Sequence, residues 1–315
     1  MFDSVDINGV VINGNVSSIT GTTATTDVLT LLGTGGSITI SDIESVVGST
    51  GTDEVTLGNT NSGTVFVSDV ETVTGSTGTD VLAMLNSGAM SVSGVETVLG
   101  TTGVDVLSLL AGGAVSVSDI DTVIGSADST DAVTMLAAGT LTVSAVESVV
   151  GSTDTADIVN MLGGGSLSVS AVESLVGTTA VEVVTLANAG DALSVSDIDS
   201  IIGTTDTTEA LTLLAAGSVS VSAIDSVTGT TGTDTLNLLA AGAVTVSDVE
   251  SVIGSTGTDH ITLGTAGNLA VSRVETITGT TDTTETVTLL ATGALSVSDI
   301  DSVLGTTATT DAVTM

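Results

Sequence analysis

The chain has 315 residues, 37 acidic side chains and a single cationic one, Arg273, for a formal charge of −36. That balance excludes nucleic acid as a partner, because nothing can neutralise phosphates, and 41% hydrophobic residues exclude a disordered acidic tail. No apolar run approaches the roughly 20 residues that span a bilayer, so no membrane insertion is expected, and the absence of cysteine leaves the fold without disulfides.

In chain order, the N-terminus MFDSVDINGV carries neither a basic region nor an apolar stretch, so export without a cleavable signal peptide is expected. Val11, Ile12, Val16 and Ile19 fit strands of a partial coil over residues 1–20. A marker glycine then recurs every 25–27 residues, at Gly21, Gly48, Gly75, Gly100, Gly125, Gly151, Gly177, Gly203, Gly229, Gly254, Gly279 and Gly305. These bound an eleven-repeat region, 21–304, and a C-terminal partial coil, 305–315.

The repeat from Gly229 to Ile253 shows the pattern. Leu236 and Leu238 flank Asn237, Val244 and Val246 flank Thr245, and Val249 and Val252 follow. Alternation at period two in runs too short for helices predicts three half-buried strands, with Gly and small polar residues at the corners. The expected fold is an all-β solenoid of about 12 coils, three short strands per coil, with like residues stacked about 4.8 Å apart.

Two positions are acidic in every complete repeat. The first follows the marker glycine: Asp27, Asp53, Asp80, Asp105, Asp131, Asp157, Glu182, Glu209, Asp234, Asp259 and Glu285, then Asp311 in the last partial turn. The second precedes the third strand: Glu44, Glu71, Glu96, Asp121, Glu147, Glu173, Asp199, Asp225, Glu250, Glu275 and Asp301. A third position is mixed: Asp42, Asp69, Gly94, Asp119, Ala145, Ala171, Asp197, Ala223, Asp248, Arg273 and Asp299. Stacked in columns, each neighbouring pair of like charges costs about 1 kcal/mol in water and more near a protein surface. Hard divalent cations offset such repulsion, and Ca2+ accepts carboxylates and carbonyls in loose geometry. Both unbroken acidic columns are therefore candidate metal ligands.

The loop before the first acid often reads G-x-x-G-x-D-x-aliphatic, as in Gly48, Gly51, Asp53, Val55 and in Gly229, Gly232, Asp234, Leu236. The same spacing recurs from Gly75, Gly100 and Gly254. It resembles the calcium-binding nonapeptide of RTX (hemolysin-type) repeat proteins. That resemblance implies stacked loops holding Ca2+ through the Asp and backbone carbonyls, in a secreted or surface protein. Where the family pattern has its second glycine, this chain has Ser or Thr. Six of the twelve loops, such as Gly203-TTDTT-Glu209, carry one extra residue, and three loops use Glu.

Other columns invite plainer readings. A serine ladder (Ser41, Ser68, Ser93 and onward) is expected to satisfy corner backbone groups. Outward Thr30, Thr56, Thr134 and Thr185 suit strand propensity. His260 has no partner histidine, Arg273 is expected to pair with nearby acids, and no nucleophile or base constellation points to an enzyme. The chain begins with strands that fit the second half of a coil and ends just after a first strand, so head-to-tail stacking of subunits is expected. The expected function is a calcium-stabilised extracellular structural protein that forms a filament or surface layer. The alternatives are a spacer of a larger adhesin and an ice-binding solenoid.

Overall fold

The computed structural model describes residues 2–22, 26–58, 63–188, 190, 192–205, 208–282, 284–308 and 310–315. Met1 and, in the 203–209 loop, Asp206 and Thr207 lie outside them. The chain divides into two compact units, Met1–Asp157 and Ile158–Met315. Both are parallel β-solenoids, and among the described residues no helix is long and apolar enough to cross a membrane.

The first unit opens with a hairpin. Strand β1 (Phe2–Ile7) runs antiparallel to β2 (Val10–Val16) and, on its other side, antiparallel to β4 (Val28–Leu32). It therefore covers the backbone edge that β4 would otherwise present. From β3 (Ser18–Thr20) onward the pattern is regular. Strands β4, β6 (Ser45–Val47) and β8 (Thr64–Ser68) succeed one another in one sheet, and β3, β5 (Gly35–Ser41), β7 (Thr52–Leu57) and β9 (Thr72–Thr74) in the other. Every one of these pairings is parallel. The second unit obeys the same rule: Gly165–Ser170, Glu182–Leu186, Ser200–Ile202 and Ser218–Ser222 follow one another in one sheet. Ser174–Val176, Ala192–Ser196, Ala210–Leu213 and Ser226–Thr228 do so in the other.

This corrects the expected coil. A coil has two strands, one per sheet, whereas a sequence repeat has three, so each repeat winds through one and a half coils. Among the described residues there are about 17 coils rather than 12. Like residues do not stack on like. First, third and second strands of the repeat alternate cyclically up each sheet, so one core column runs Val65, Leu82, Val98, Val117, Met135. The physical reason is that all three strands present the same inward aliphatic rhythm, and a parallel neighbour needs only that. The six aliphatic positions are internal as expected: Val55, Leu57, Val65, Val67, Val70 and Val73 are all buried.

Two corner features explain the rest of the repeat. The mixed position is the left-handed residue of the corner between second and third strands, with φ of 52–62° in all eleven repeats. Asp and Gly tolerate that conformation better than Ala or Arg. The marker glycine is demanded by contact rather than by its own φ. Its N–H donates to the carbonyl of the column serine one coil on, as in Gly48 to Ser68 and Gly125 to Ser144, both 2.8 Å. A Cβ there would come within 1.6 Å of Asp69 O at Gly48 and 1.7 Å of Ala145 O at Gly125. What the serine ladder supplies to this contact is its carbonyl. The threonine column is also interleaved: Thr134 stands between Ser116 and Val150, and Thr185 pairs with Ile202.

Candidate functional site: paired acids at the coil edges

The first acid sits where the marker-glycine loop enters its strand. From Asp27 to Glu285 these carboxylates are at most 2% exposed. Burying them requires donors, and the loop supplies a fixed set. The Ser or Thr after the marker glycine gives both its N–H and its hydroxyl. Thr101 reaches Asp105 Oδ2 at 2.6 Å through N and 2.8 Å through Oγ1, and Thr230 does the same to Asp234. The hydroxyl also accepts an N–H two residues on, as from Gly103 to Thr101 at 3.0 Å. The Ser or Thr that follows the marker glycine is therefore part of the carboxylate cradle.

The second acid comes to the same place from the next coil. The backbone N–H of the buried acid donates to its carboxylate: Asp53 to Glu71 and Asp80 to Glu96 at 2.7 Å, Asp27 to Glu44, Asp105 to Asp121 and Asp131 to Glu147 at 2.8 Å. In the second unit Glu182 meets Asp199 and Glu209 meets Asp225 at 3.0 Å, Asp234 meets Glu250 at 2.7 Å, Asp259 meets Glu275 at 2.8 Å and Glu285 meets Asp301 at 2.9 Å. The outer acids are half-buried or exposed.

The expected pair of unbroken columns is thus a series of inner–outer dyads. Because a repeat spans one and a half coils, successive dyads fall in alternate sheets: Asp27, Asp80 and Asp131 lead into strands of one, Asp53 and Asp105 into strands of the other. Equivalent dyads in one sheet are three coils, roughly 14 Å, apart. Charge repulsion is concentrated within each dyad rather than spread along a column.

The dyads are matched in length. Ten of the eleven complete repeats combine one Asp with one Glu, whichever position holds the longer residue. Asp105 with Asp121 is the exception, and no dyad is Glu with Glu. The three inner glutamates, Glu182, Glu209 and Glu285, all face outer aspartates. The signal was present in the sequence as a reciprocal Asp/Glu exchange between two positions 16–18 residues apart, legible only once those positions are known to meet.

The electrostatics differ within the set. Burial, with the charges of Glu71 and Asp69, pushes the Asp53 carboxyl above its ordinary range. Burial and the Glu209 carboxyl push Asp225 up. Burial would raise Glu209, but hydrogen bonds from Thr204, Asp225 and backbone N–H groups outweigh it and hold it low. Thr280 and Asp301 hold Glu285 low, and the Thr22 backbone holds Asp27 low.

As a metal centre, no group of three or more His, Cys, Asp or Glu side chains among the described residues is placed around one point. A cation at a dyad would therefore take two carboxylates and complete its shell with backbone carbonyls and water, a donor set that suits Ca2+ and not a soft metal. Some outer acids line surface cavities. One of about 240 Å³ is lined by Thr178, Ala180, Asp197, Asp199 and Gly217 beside the Glu182/Asp199 dyad. Another of about 270 Å³ is lined by Ser255, Gly257, Arg273, Glu275 and Gly293. Arg273 itself takes the exposed left-handed corner, and His260 Nε2 lies 3.1 Å from Thr278 Oγ1. No family model, curated protein or solved structure matches this chain.

Proposed function

We propose that the protein is a structural, extracellular β-solenoid stabilised by Ca2+ at its acid dyads, in the manner of RTX-like repeat proteins, and that it stacks head to tail into a filament or surface layer. The observation that carries the reading is the inner acid: ten of the eleven complete repeats set a buried carboxylate beside a second one, in a chain with one cationic side chain to offset 37 acids. Such burial is costly without a counter-charge. The recurrence of the dyad in repeat after repeat supports a structural role.

The test is a calcium titration of the chelator-treated full chain, followed by circular dichroism. The expected result is a gain of β signal or a rise in unfolding temperature that saturates with calcium. A spectrum and unfolding temperature indifferent to calcium and chelator contradict the reading. Electron microscopy in calcium that finds only monomers contradicts the head-to-tail part of it.

A further inference from the structure

The dyads fall into two kinds, and the difference lies in the second oxygen of the inner acid. In the G-x-x-G-x-D loops both oxygens are engaged by the protein. Asp105 Oδ1 accepts the Gly88 N–H from the preceding coil, and Asp234 Oδ1 accepts that of Gly217, both at 3.0 Å. At Asp53 the loop serine hydroxyl reaches Oδ1 at 3.1 Å while its N–H holds Oδ2; at Asp80 and Asp259 the hydroxyl is shared between the two oxygens, 3.2 Å from Oδ1 and 3.1 and 2.9 Å from Oδ2, and the N–H holds Oδ2.

Where the loop is one residue longer, or the inner acid is Glu, the donors gather on one oxygen. Ser126 places N at 2.6 Å and Oγ at 2.9 Å, both on Asp131 Oδ2. Thr178 sets both donors on Glu182 Oε1, and Thr280 both on Glu285 Oε1. Asp131 Oδ1, Glu182 Oε2 and Glu285 Oε2 are then buried with no hydrogen-bond partner, in residues with no exposed surface. With the donors gathered on one oxygen, the other is left as a hard ligand atom beside a second carboxylate.

The first long loop shows what such an oxygen accepts. Thr22 sets both donors on Asp27 Oδ2, and Oδ1 is filled by the side-chain amide of Asn8 at 2.8 Å, delivered by the β1–β2 turn. Glu209, also on a long loop, closes its second oxygen with the Thr208 N–H at 3.3 Å. The Asp131, Glu182 and Glu285 dyads have no such substitute.

We propose that the cation sites of this protein are the open dyads, Asp131/Glu147, Glu182/Asp199 and Glu285/Asp301, each taking one hard divalent cation, and that the G-x-x-G-x-D loops are closed structural cradles. This rests on the cation-binding reading above but reverses the assignment that the RTX-like motif implies. Asp199, the outer acid of the Glu182 dyad, lines the 240 Å³ cavity.

The test is equilibrium dialysis of the full chain against radioactive Ca2+. Asp131→Asn, Glu182→Gln and Glu285→Gln are each expected to lower the bound calcium by one ion per chain. Asp53→Asn, Asp105→Asn and Asp234→Asn are expected to leave the number bound unchanged. The outer-acid variants Glu147→Gln, Asp199→Asn and Asp301→Asn, at solvent-facing positions, provide a second series should an inner-acid variant misfold. They are also expected to lose one ion each. Equal losses in both inner-acid sets, or loss confined to the G-x-x-G-x-D set, overturn the inference while leaving calcium binding standing. A wild-type chain that binds no calcium overturns the functional reading itself, and the inference with it.

Discussion

Two neighbouring repeats, entered through Gly100 and Gly125, share their corners, their strands and a Ser or Thr cradle. The loop from Gly100 to Asp105 is one residue shorter than that from Gly125 to Asp131. In the short loop three donors cover both carboxylate oxygens, and in the long loop two donors crowd one oxygen. Between these two repeats the longer loop accompanies an open cradle, and the strand pairing is the same on both. A glycine-rich acidic loop can have both carboxylate oxygens filled by the protein, and its likeness to a metal-binding motif then lies in spacing rather than in vacant ligand capacity.

The largest expected effect lies outside this contrast and checks that it is confined to the acid. Gly100→Ala and Gly125→Ala each drive a Cβ to within 2.0 Å or less of a corner carbonyl in the next coil. Each is expected to cost about 3 kcal/mol, with equal drops in thermal unfolding midpoint. Unequal drops would mean that the two loops differ in their corners as well.

Next comes neutralisation of the inner acid in chelator. An amide at Asp105 must point its NH2 at either the Gly88 N–H or the Thr101 donors. Asp105→Asn is therefore expected to lose about 2 kcal/mol. Asp131→Asn can turn its oxygen to Ser126 and its NH2 to the open side, so its loss is expected to stay under about 1 kcal/mol. Chemical denaturation of both variants checks this, and equal losses would erase the distinction.

Smaller again are the corners. Ala145→Gly and Ala223→Gly relieve a left-handed alanine in a long-loop repeat, and each is expected to add about 1 kcal/mol of stability. A loss in the same denaturation assay would show that the corner is not strained.

The smallest effect is with pH, in chelator. Asp225 has a raised folded pKa, so its share of stability grows as pH falls through that value toward 3.8. Glu209 is held low, so its share is present above 4.5 and disappears when pH falls through its depressed folded value. Acidification therefore acts in opposite senses on the two acids. Asp225→Asn is expected to lose stability more steeply than the wild type as pH falls, and a thermal melt series across pH would show it; parallel curves would contradict it.

Much of this was legible before the structure. Alternating pairs such as Leu236 and Leu238 or Val244 and Val246 specify strands and their buried face, and the recurring glycine specifies a repeat architecture. The coil was not legible, because sequence period and structural period differ. Three corners of different sequence serve two edges, and nothing in the spelling of Val65, Leu82 and Val98 says that they share one column. The acids were found individually, but their partnership depends on that winding: Asp80 meets Glu96 only because third strand follows first in the same sheet. The mixed column looked like diluted acidity. It is a backbone requirement, which is why Asp, Gly, Ala and Arg all appear there with one φ.

The claim at the centre of this account is that the two acids of a repeat act as one length-matched unit. A double-mutant cycle on Asp131 and Glu147 tests it most directly. Asp131→Glu alone makes the Glu–Glu pairing that no complete repeat uses, and it should lower the unfolding midpoint and weaken calcium binding. Adding Glu147→Asp recreates the arrangement of Glu285 with Asp301 on an equally long loop, and should restore most of both losses, a coupling of about 1 kcal/mol or more. Strictly additive losses would show that the acids do not work as a pair, and would contradict the account.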